Sequence, residues 1–478
     1  MSEYKKLSAS EISAKVKSRE LKAVDIAREA IELAKTDGKK LNAFITICEE
    51  KALAQAEAID KKLENGDAQG DLLGVPVALK DNIIYQDYET TCGSHILDKF
   101  KPPYDSTCAK NLINAGAVII GKTNLDEFAM GSSNENSYYG PVKNPINHKL
   151  VPGGSSGGST AVVAEKIVPI AFGSETGGSV RQPASFCGVL GLKPTYGAIS
   201  RYGLVAFGSS LDQISPLARN SEDIALAYKV ASGRDQMDST SVAFEHPDYL
   251  KELNSSRKFK IGIPKEYFVD GLSDEIEKSV RDVIIFLEKN GHSFTQISLP
   301  MTDKAIAVYY IISSAEASAN LARFDGVKYG LREGKDKDLL GMYGDTRSAG
   351  FGDEVKRRIM LGTYVLSSGY YDAYYIKASK VRELMVRDFE KVFESVDLII
   401  SPTTPTTAFK IGEKIDDPLA MYLSDIFTAP ANLSGIPAVS LPLGKSSDNL
   451  PIGVQFMAPH FSELSLFQIS KQLESHNN

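Results

Sequence analysis

Positive charge is not in excess in this chain. Lys and Arg total 54 against 61 Asp and Glu, a net charge of -7 over 478 residues. Surfaces that grip nucleic acid carry surplus Lys and Arg. The chain as a whole is therefore a poor candidate for the main tRNA or DNA grip, a local patch aside. Cysteine is scarce: Cys48, Cys92, Cys108 and Cys187, with no CxxC spacing. That argues against a disulfide frame or a zinc site and for reduced, buried thiols in a cytoplasmic protein. The opening MSEYKKLSASEI lacks the apolar core of a signal peptide. No run of about 20 apolar residues occurs, so no transmembrane helix is expected. No repeat, low-complexity tract or obvious linker is found. The six histidines are His95, His148, His246, His292, His460 and His476, and none has the surroundings of a triad base.

What is present is ordinary globular material, 42% hydrophobic and 24% charged, enough for a large core. The first 65 residues read as helices. Ser8 and Glu11 make a capping-box pattern, and Val24, Ala27, Ile31 and Ala34 recur at helical spacing up to a stop at Gly38. Residues 50–64 read as a polar helix ending at Asn65-Gly66. From Leu73 onward, short apolar runs alternate with Gly-rich turns and helices: Val75–Leu79, Ala117–Ile120, Ile167–Phe172, Lys260–Ile263, Leu398–Ser401, Ala438–Leu441 and Gly453–Met457. Strands interleaved with helices predict an α/β sheet covered on both faces. Length alone suggests several domains, but the pattern favours one. It has a helical layer at 1–65, an α/β core at 66–478, and a Tyr-, Ala- and charge-rich helical insertion at about 305–385.

Two motif matches are refused on physical grounds. Residues 116–123, Gly-Ala-Val-Ile-Ile-Gly-Lys-Thr, satisfy the Walker A pattern. A phosphate loop needs an irregular turn with exposed amides, whereas these middle residues are apolar and mostly β-branched, like a buried strand. Residues 153–157, Gly-Gly-Ser-Ser-Gly, satisfy G-x-S-x-G. A nucleophile elbow needs a buried strand just before it, but the residues ahead are polar and end in Pro152.

Three segments carry chemistry when read together. Lys80 ends the apolar run Gly74–Leu79. Burying an ammonium is costly, so Lys80 is either salt-bridged or held neutral as a base. Pro152–Ser159 sets four glycines among small hydroxyl residues, which lets backbone approach something closely. A helix-like stretch at Ser159–Lys166 argues against a flexible linker. Gly173–Pro183 follows a strand and precedes a short helical segment, so Ser179 falls near a helix start. The N–H groups of Thr176, Gly177, Gly178 and Ser179 could converge on one anion, the geometry of an oxyanion hole beside a nucleophile.

Together these segments resemble the amidase signature family. The resemblance implies a Ser–cis-Ser–Lys triad, with Ser179 as nucleophile, Ser155 as proton relay after a cis peptide bond, and Lys80 as final base. It also implies a single α/β/α domain around a mixed sheet. A free lysine has a pKa of about 10.4, so a neutral Lys80 at pH 7 requires a depression of some 3 units. Further segments narrow the resemblance within the family: Phe128–Ser137 with Gly140–Pro145, Gly352–Thr363 with Ser368–Tyr375, and Asp417–Tyr422 with Asp425. They are similar to the glutamine-hydrolysing A subunits of tRNA-dependent amidotransferases.

That similarity implies a heterotrimer with B and C subunits. It also implies an ammonia tunnel, ATP and Mg at the B subunit, tRNA held mainly there, and no cofactor or metal in this chain. Free glutamine offers an α-ammonium and an α-carboxylate, so its site needs an anion and a fork-shaped cation. Asp425 and Arg358 are the candidates, with Tyr309 (closely contested by Tyr310), Gly131 and Ser132 beside them. Read without the resemblance, Arg357 and Arg358 would be a solvated helix face. The competing readings are a stand-alone amidase on another small amide, a catalytically dead scaffold protein, and a P-loop nucleotide binder.

Overall fold

The computed structural model describes residues 3–67, 69–268 and 271–474. His476 and the outer ends of the expected ranges 1–65 and 66–478 reach outside these residues. Eleven strands form one sheet: β1 Phe44–Ile47, β2 Pro76–Lys80, β3 Val118–Thr123, β4 Ile170–Glu175, β5 Leu190–Lys193, β6 Gln213–Ala218, β7 Lys260–Pro264, β8 Ser293–Ile297, β9 Leu398–Pro402, β10 Ala438–Lys445 and β11 Pro451–Met457. The spatial order is β1-β3-β2-β4-β6-β5-β10-β11-β9-β7-β8. The sheet is mixed. β2 runs parallel to β3 and β4, and β7 parallel to β8 and β9. The remaining neighbours are antiparallel, as β4 is to β6 and β10 to β11.

Strands β2, β3, β4 and β9 are buried along their whole length. This is why their sequences read as continuous apolar runs rather than alternations. The longer helices surround the sheet: α1 Ala9–Lys17, α2 Ala23–Leu33, α3 Glu49–Glu64, α4 Thr107–Asn114, α5 Gly157–Ala164, α6 Arg181–Cys187, α7 Ser221–Ala231, α8 Asp274–Lys289, α9 Ala305–Asn320, α10 Leu339–Gly350, α11 Asp353–Val365, α12 Lys377–Phe393 and α13 Glu463–Leu473. The capping box at Ser8 forms as expected, with reciprocal bonds between Ser8 and Glu11.

Two differences from the sequence expectation have physical causes. The stretch 1–65 is not all helix, because Phe44–Ile47 is the edge strand β1, pairing antiparallel with β3. That four-residue run is too short to carry a period, and only its neighbour makes it a strand. β5, β6 and β8 also lie outside the expected set of strands. β5 (Leu190–Lys193) and β6 (Gln213–Ala218) mix Gly, Pro, Ser and Lys into buried strands, and tertiary pairing overrides that weak propensity. The refused Walker match lies in β3. Lys122 there is fully buried and ion-paired with Asp81 at 2.9 Å, so it has no free ammonium for phosphate.

Candidate active site

β2 and β4 run parallel and adjacent, so their carboxyl ends open on the same side of the sheet, where α/β folds hold ligands. Lys80 is the last residue of β2 and its side chain is fully buried. Its Nζ lies 2.7 Å from Ser155 Oγ, 2.9 Å from Ser156 Oγ and 3.2 Å from the Ser174 carbonyl. None of these partners is a carboxylate, so the salt-bridge alternative does not hold for Lys80. Burial pushes the Lys80 ammonium down to about 7, opposed by the charges of Asp126, Asp212 and Glu175.

A proton count fits a neutral amine. Ser156 Oγ donates to Ser174 O at 3.0 Å, so it can only accept from Lys80. Ser174 O is also an acceptor. A neutral amine donates two protons and accepts one. In that form the two donations would go to Ser156 and Ser174 and the lone pair would face the Ser155 hydroxyl, whereas an ammonium would donate to all three.

The Gly/Ser stretch is a tight connection into α5. The peptide bond between Gly154 and Ser155 is cis. A Cβ on Gly154 would sit 2.1 Å from Asp126 Oδ2, and one on Gly158 would sit 2.4 Å from the Asn124 carbonyl. These are the close approaches the glycines permit. The Ser156 amide donates to the Ser179 carbonyl at 3.0 Å, which ties this stretch to the one after β4. Ser179 is buried, with 6% exposure.

Beyond β4 the chain turns through Thr176–Val180 into α6. A buried ion pair frames this turn. Glu175 Oε1 accepts from Arg181 Nε at 2.8 Å and also from Arg181 Nη2. Glu175 Oε2 accepts the Val180 and Arg181 amides, each at 3.0 Å. Arg181 continues to Gln455 Oε1, Asn432 Oδ1 and the Thr428 carbonyl. Both side chains are fully buried. Removing one partner of such a pair leaves an uncompensated charge, at about 3–5 kcal/mol. Glu175→Gln is expected to lose stability of that order, read as a fall in the urea unfolding midpoint. An unchanged midpoint would disprove the structural role.

The pocket candidates converge from four distant segments. Ser132 Oγ donates to Asp425 Oδ2 at 2.5 Å. Asp425 Oδ1 is buried and has no hydrogen-bond partner. Burial raises the Asp425 carboxyl to about 7, with Ser132, Arg181 and Arg358 pulling the other way. Arg358 donates through Nε to Glu354 Oε1 at 2.7 Å, while its buried Nη1 has no partner. The guanidinium lies 4.5 Å from the Tyr310 ring centroid and 5.3 Å from that of Tyr422. Arg358 is thus not on a solvated face: its side chain is 3% exposed against 45% for Arg357. Tyr309 shares a hydrogen bond with Thr176 Oγ1 at 2.9 Å, and a Cβ on Gly177 would strike its ring at 2.7 Å. Tyr309 therefore faces the turn, and Tyr310 stacks with Tyr422 beneath Arg358. Gly131, Ser132, Glu354, Arg358 and Tyr422 are among the residues lining a cavity of about 310 Å³.

Sequence reasoning missed Ser156, Ser174, Glu175, Arg181 and Thr428. Ser156, Ser174, Glu175 and Arg181 stand inside motifs already singled out, and Glu175 and Arg181 pair six residues apart, but Lys80, Gln455 and Asn432, which complete their contacts, are remote in sequence. Thr428 carries no local signal. Among the described residues no group of His, Cys, Asp or Glu could hold a metal ion, and no helix is long and apolar enough to cross a membrane.

Comparison with known proteins adds four findings. The model of the family described as Amidase matches residues 25–467. A protein of Carboxydothermus hydrogenoformans, named as the A subunit of glutamyl-tRNA(Gln) amidotransferase, is 53% identical over 469 residues, covering 98% of this chain and 96% of that protein. The crystal structure of the protein of the same name from Thermotoga maritima superposes with a TM-score of 0.82 at 40% identity, covering 99% of this chain and 95% of that one. A 6-aminohexanoate cyclic dimer hydrolase, solved with its substrate, gives a TM-score of 0.85 at 26% identity, covering 99% and 98%.

Proposed function

The chain belongs to the amidase family, and from that premise we propose that it is the glutaminase component of a tRNA-dependent amidotransferase. The observation that carries this reading is a pair of buried, unpartnered polar atoms of opposite charge, Arg358 Nη1 and Asp425 Oδ1. A buried polar atom without a partner is costly, and a ligand carrying both an α-carboxylate and an α-ammonium would satisfy both. Ser132 would orient Asp425, with Gly131 beside it, and Tyr309 would wall the path towards Thr176.

In the proposed reaction Ser179 attacks the carboxamide carbon of glutamine. Its proton passes to Ser155, whose own proton passes to the Lys80 lone pair. The tetrahedral oxyanion is held by amides of the Thr176–Ser179 turn. Collapse breaks the C–N bond, and Lys80 returns the proton through Ser155 to the leaving amine, which departs as ammonia. Water then cleaves the acyl ester by the same relay and releases glutamate. The ammonia would serve partner B and C subunits, with ATP, Mg and tRNA held mainly by B, in the cytoplasm. The relatives named as A subunits support this assembly, and an acidic chain with no basic excess suits a component that does not itself carry the tRNA.

The test is ammonia release from glutamine, asparagine and propionamide, with and without candidate partner subunits and with Ser179→Ala as blank. Glutamine-selective release raised by partners is the expected result. Equal or better turnover of propionamide would sink the glutamine pocket and favour an amidase on another small amide.

Asp425→Asn removes the ammonium's counter-charge. A charged hydrogen bond is worth about 1.5–3 kcal/mol, so the glutamine KM is expected to rise roughly 10- to 150-fold while propionamide turnover persists. In the wild type, Asp425 loses its charge as pH falls through about 7. The glutamine KM should therefore climb on the acid side of neutrality and level off above it.

A further inference from the structure

Three consecutive carbonyls in the turn at Ser179 are each held from outside. Gly177 O accepts the Thr428 hydroxyl at 2.7 Å. Gly178 O accepts the Gln182 amide at 2.8 Å, and Ser179 O accepts the Ser156 amide at 3.0 Å. In a trans peptide the C=O and N–H point in opposite directions across one plane. Each held carbonyl therefore fixes the aim of the amide that follows it, namely those of Gly178, Ser179 and Val180. The Val180 amide is taken by Glu175. The Gly178 and Ser179 amides have no acceptor among the described residues.

Two of the three holding groups are backbone amides, from α6 and from the Gly/Ser stretch. The third is a side-chain hydroxyl lying 251 residues further along the chain. Thr428 is fully buried and itself firmly held. Its carbonyl accepts Arg181 Nη2 at 2.8 Å, and its amide donates to the Asp425 carbonyl at 3.1 Å. Its hydroxyl also lies 3.1 Å from that carbonyl, but it has one proton, and Gly177 O is the nearer acceptor. Gly178, at φ +153°, could carry no side chain here, because a Cβ would sit 2.2 Å from Thr428 Oγ1.

We infer that Thr428 is a positioning residue for the oxyanion hole, its hydroxyl pinning the Gly177 carbonyl so that the Gly178 N–H faces the oxyanion. The inference rests on the reading of Ser179 as the nucleophile. In this role Thr428 acts through the Gly177 peptide and not on the reacting atoms themselves. Without its hydroxyl the 177–178 peptide is free to rotate, and one donor loses its aim.

The experiment uses the full chain with its partner subunits and the variants Thr428→Val, Thr428→Ser and Thr428→Cys. It measures kcat and KM for glutamine and the rate of covalent labelling of Ser179 by a fluorophosphonate, whose adduct also places an oxygen in the hole. Losing a whole donor costs about 10²–10³ in kcat, so a misaimed one is expected to cost about 10- to 100-fold. Thr428→Val should lose this in kcat at an unchanged KM, with labelling slowed in step, and Thr428→Ser should restore both.

A loss confined to KM, a wild-type kcat in Thr428→Val, or a Ser variant as impaired as Val would each overturn the inference. If Thr428→Val fails to fold, Thr428→Cys keeps the volume with a weaker donor. An intermediate kcat there supports the inference, and a wild-type kcat overturns it. If the wild type releases no ammonia from glutamine but Ser179 takes the label, slowed in Thr428→Val, the substrate reading fails and the Thr428 inference stands. A wild type that does neither overturns both.

Discussion

Ser179→Ala is expected to lower amide turnover about a million-fold, in practice to the detection limit. That is the loss produced by removing the nucleophile of a serine hydrolase. Nothing else in the turn can substitute for it. Thr176 Oγ1 is engaged with Tyr309, Ser156 Oγ with Lys80 and Ser174, and Ser155 Oγ lies against Lys80 at 2.7 Å. The fold should be untouched, because removing one small buried hydroxyl leaves the Ser179 carbonyl's bond to the Ser156 amide in place. Ammonia release and fluorophosphonate labelling, run beside thermal unfolding, check this. Residual turnover within tenfold of wild type, in a folded variant, would place the nucleophile elsewhere.

Lys80→Met should be nearly as damaging, about 10⁴-fold or more in kcat, because the relay then ends at a thioether that cannot take a proton. The wild-type pH profile carries an equally direct consequence. Burial holds the Lys80 ammonium near 7, and only the neutral amine can accept the proton. Raising pH through about 7 fills the neutral form, and lowering it empties that form. The profile of kcat/KM should therefore fall on the acid side with an apparent midpoint near 7 and stay flat above it. Because Asp425 titrates in the same range, the limb in kcat/KM belongs to both groups. The limb in kcat with glutamine saturating isolates Lys80, since substrate ammonium then keeps Asp425 ionised. A kcat that does not change across neutrality would overturn the neutral-lysine mechanism.

Much of this architecture was legible along the chain. Short apolar runs located β2, β3, β4, β7, β9, β10 and β11, and they are most continuous where a strand is buried along its whole length, as in β2, β3 and β9. The refusal of the Walker match also followed from local chemistry, since a β-branched run cannot form a phosphate loop, and Lys122 is indeed buried against Asp81. Less legible were the strands whose identity depends on a neighbour. Phe44–Ile47 is a strand because β3 offers it an edge, and Gln213–Ala218 is one because β4 and β5 flank it. The arginine pair at 357 and 358 illustrates the same limit. Their spacing on α11 says only that they point in different directions, whereas burial against Tyr310 and Tyr422 separates Arg358 from the exposed Arg357.

The sequence by itself determined which residue types meet at the ends of β2 and β4: a lysine closing an apolar run, glycines beside serines, and a glycine pair ahead of Ser179. Those demands are local, set by backbone conformation and by the cost of burying a charge. Only the tertiary structure decided what each group touches. It buried Lys80 among two hydroxyls and a carbonyl in place of a carboxylate, and that burial pushes its ammonium down to about 7. It brought Ser132 to Asp425 across 293 residues and Thr428 to Gly177 across 251. Such partners carry no period or spacing along the chain, because hydrogen bonds and desolvation act over a few ångströms of space, and only the folded sheet brings those ångströms together.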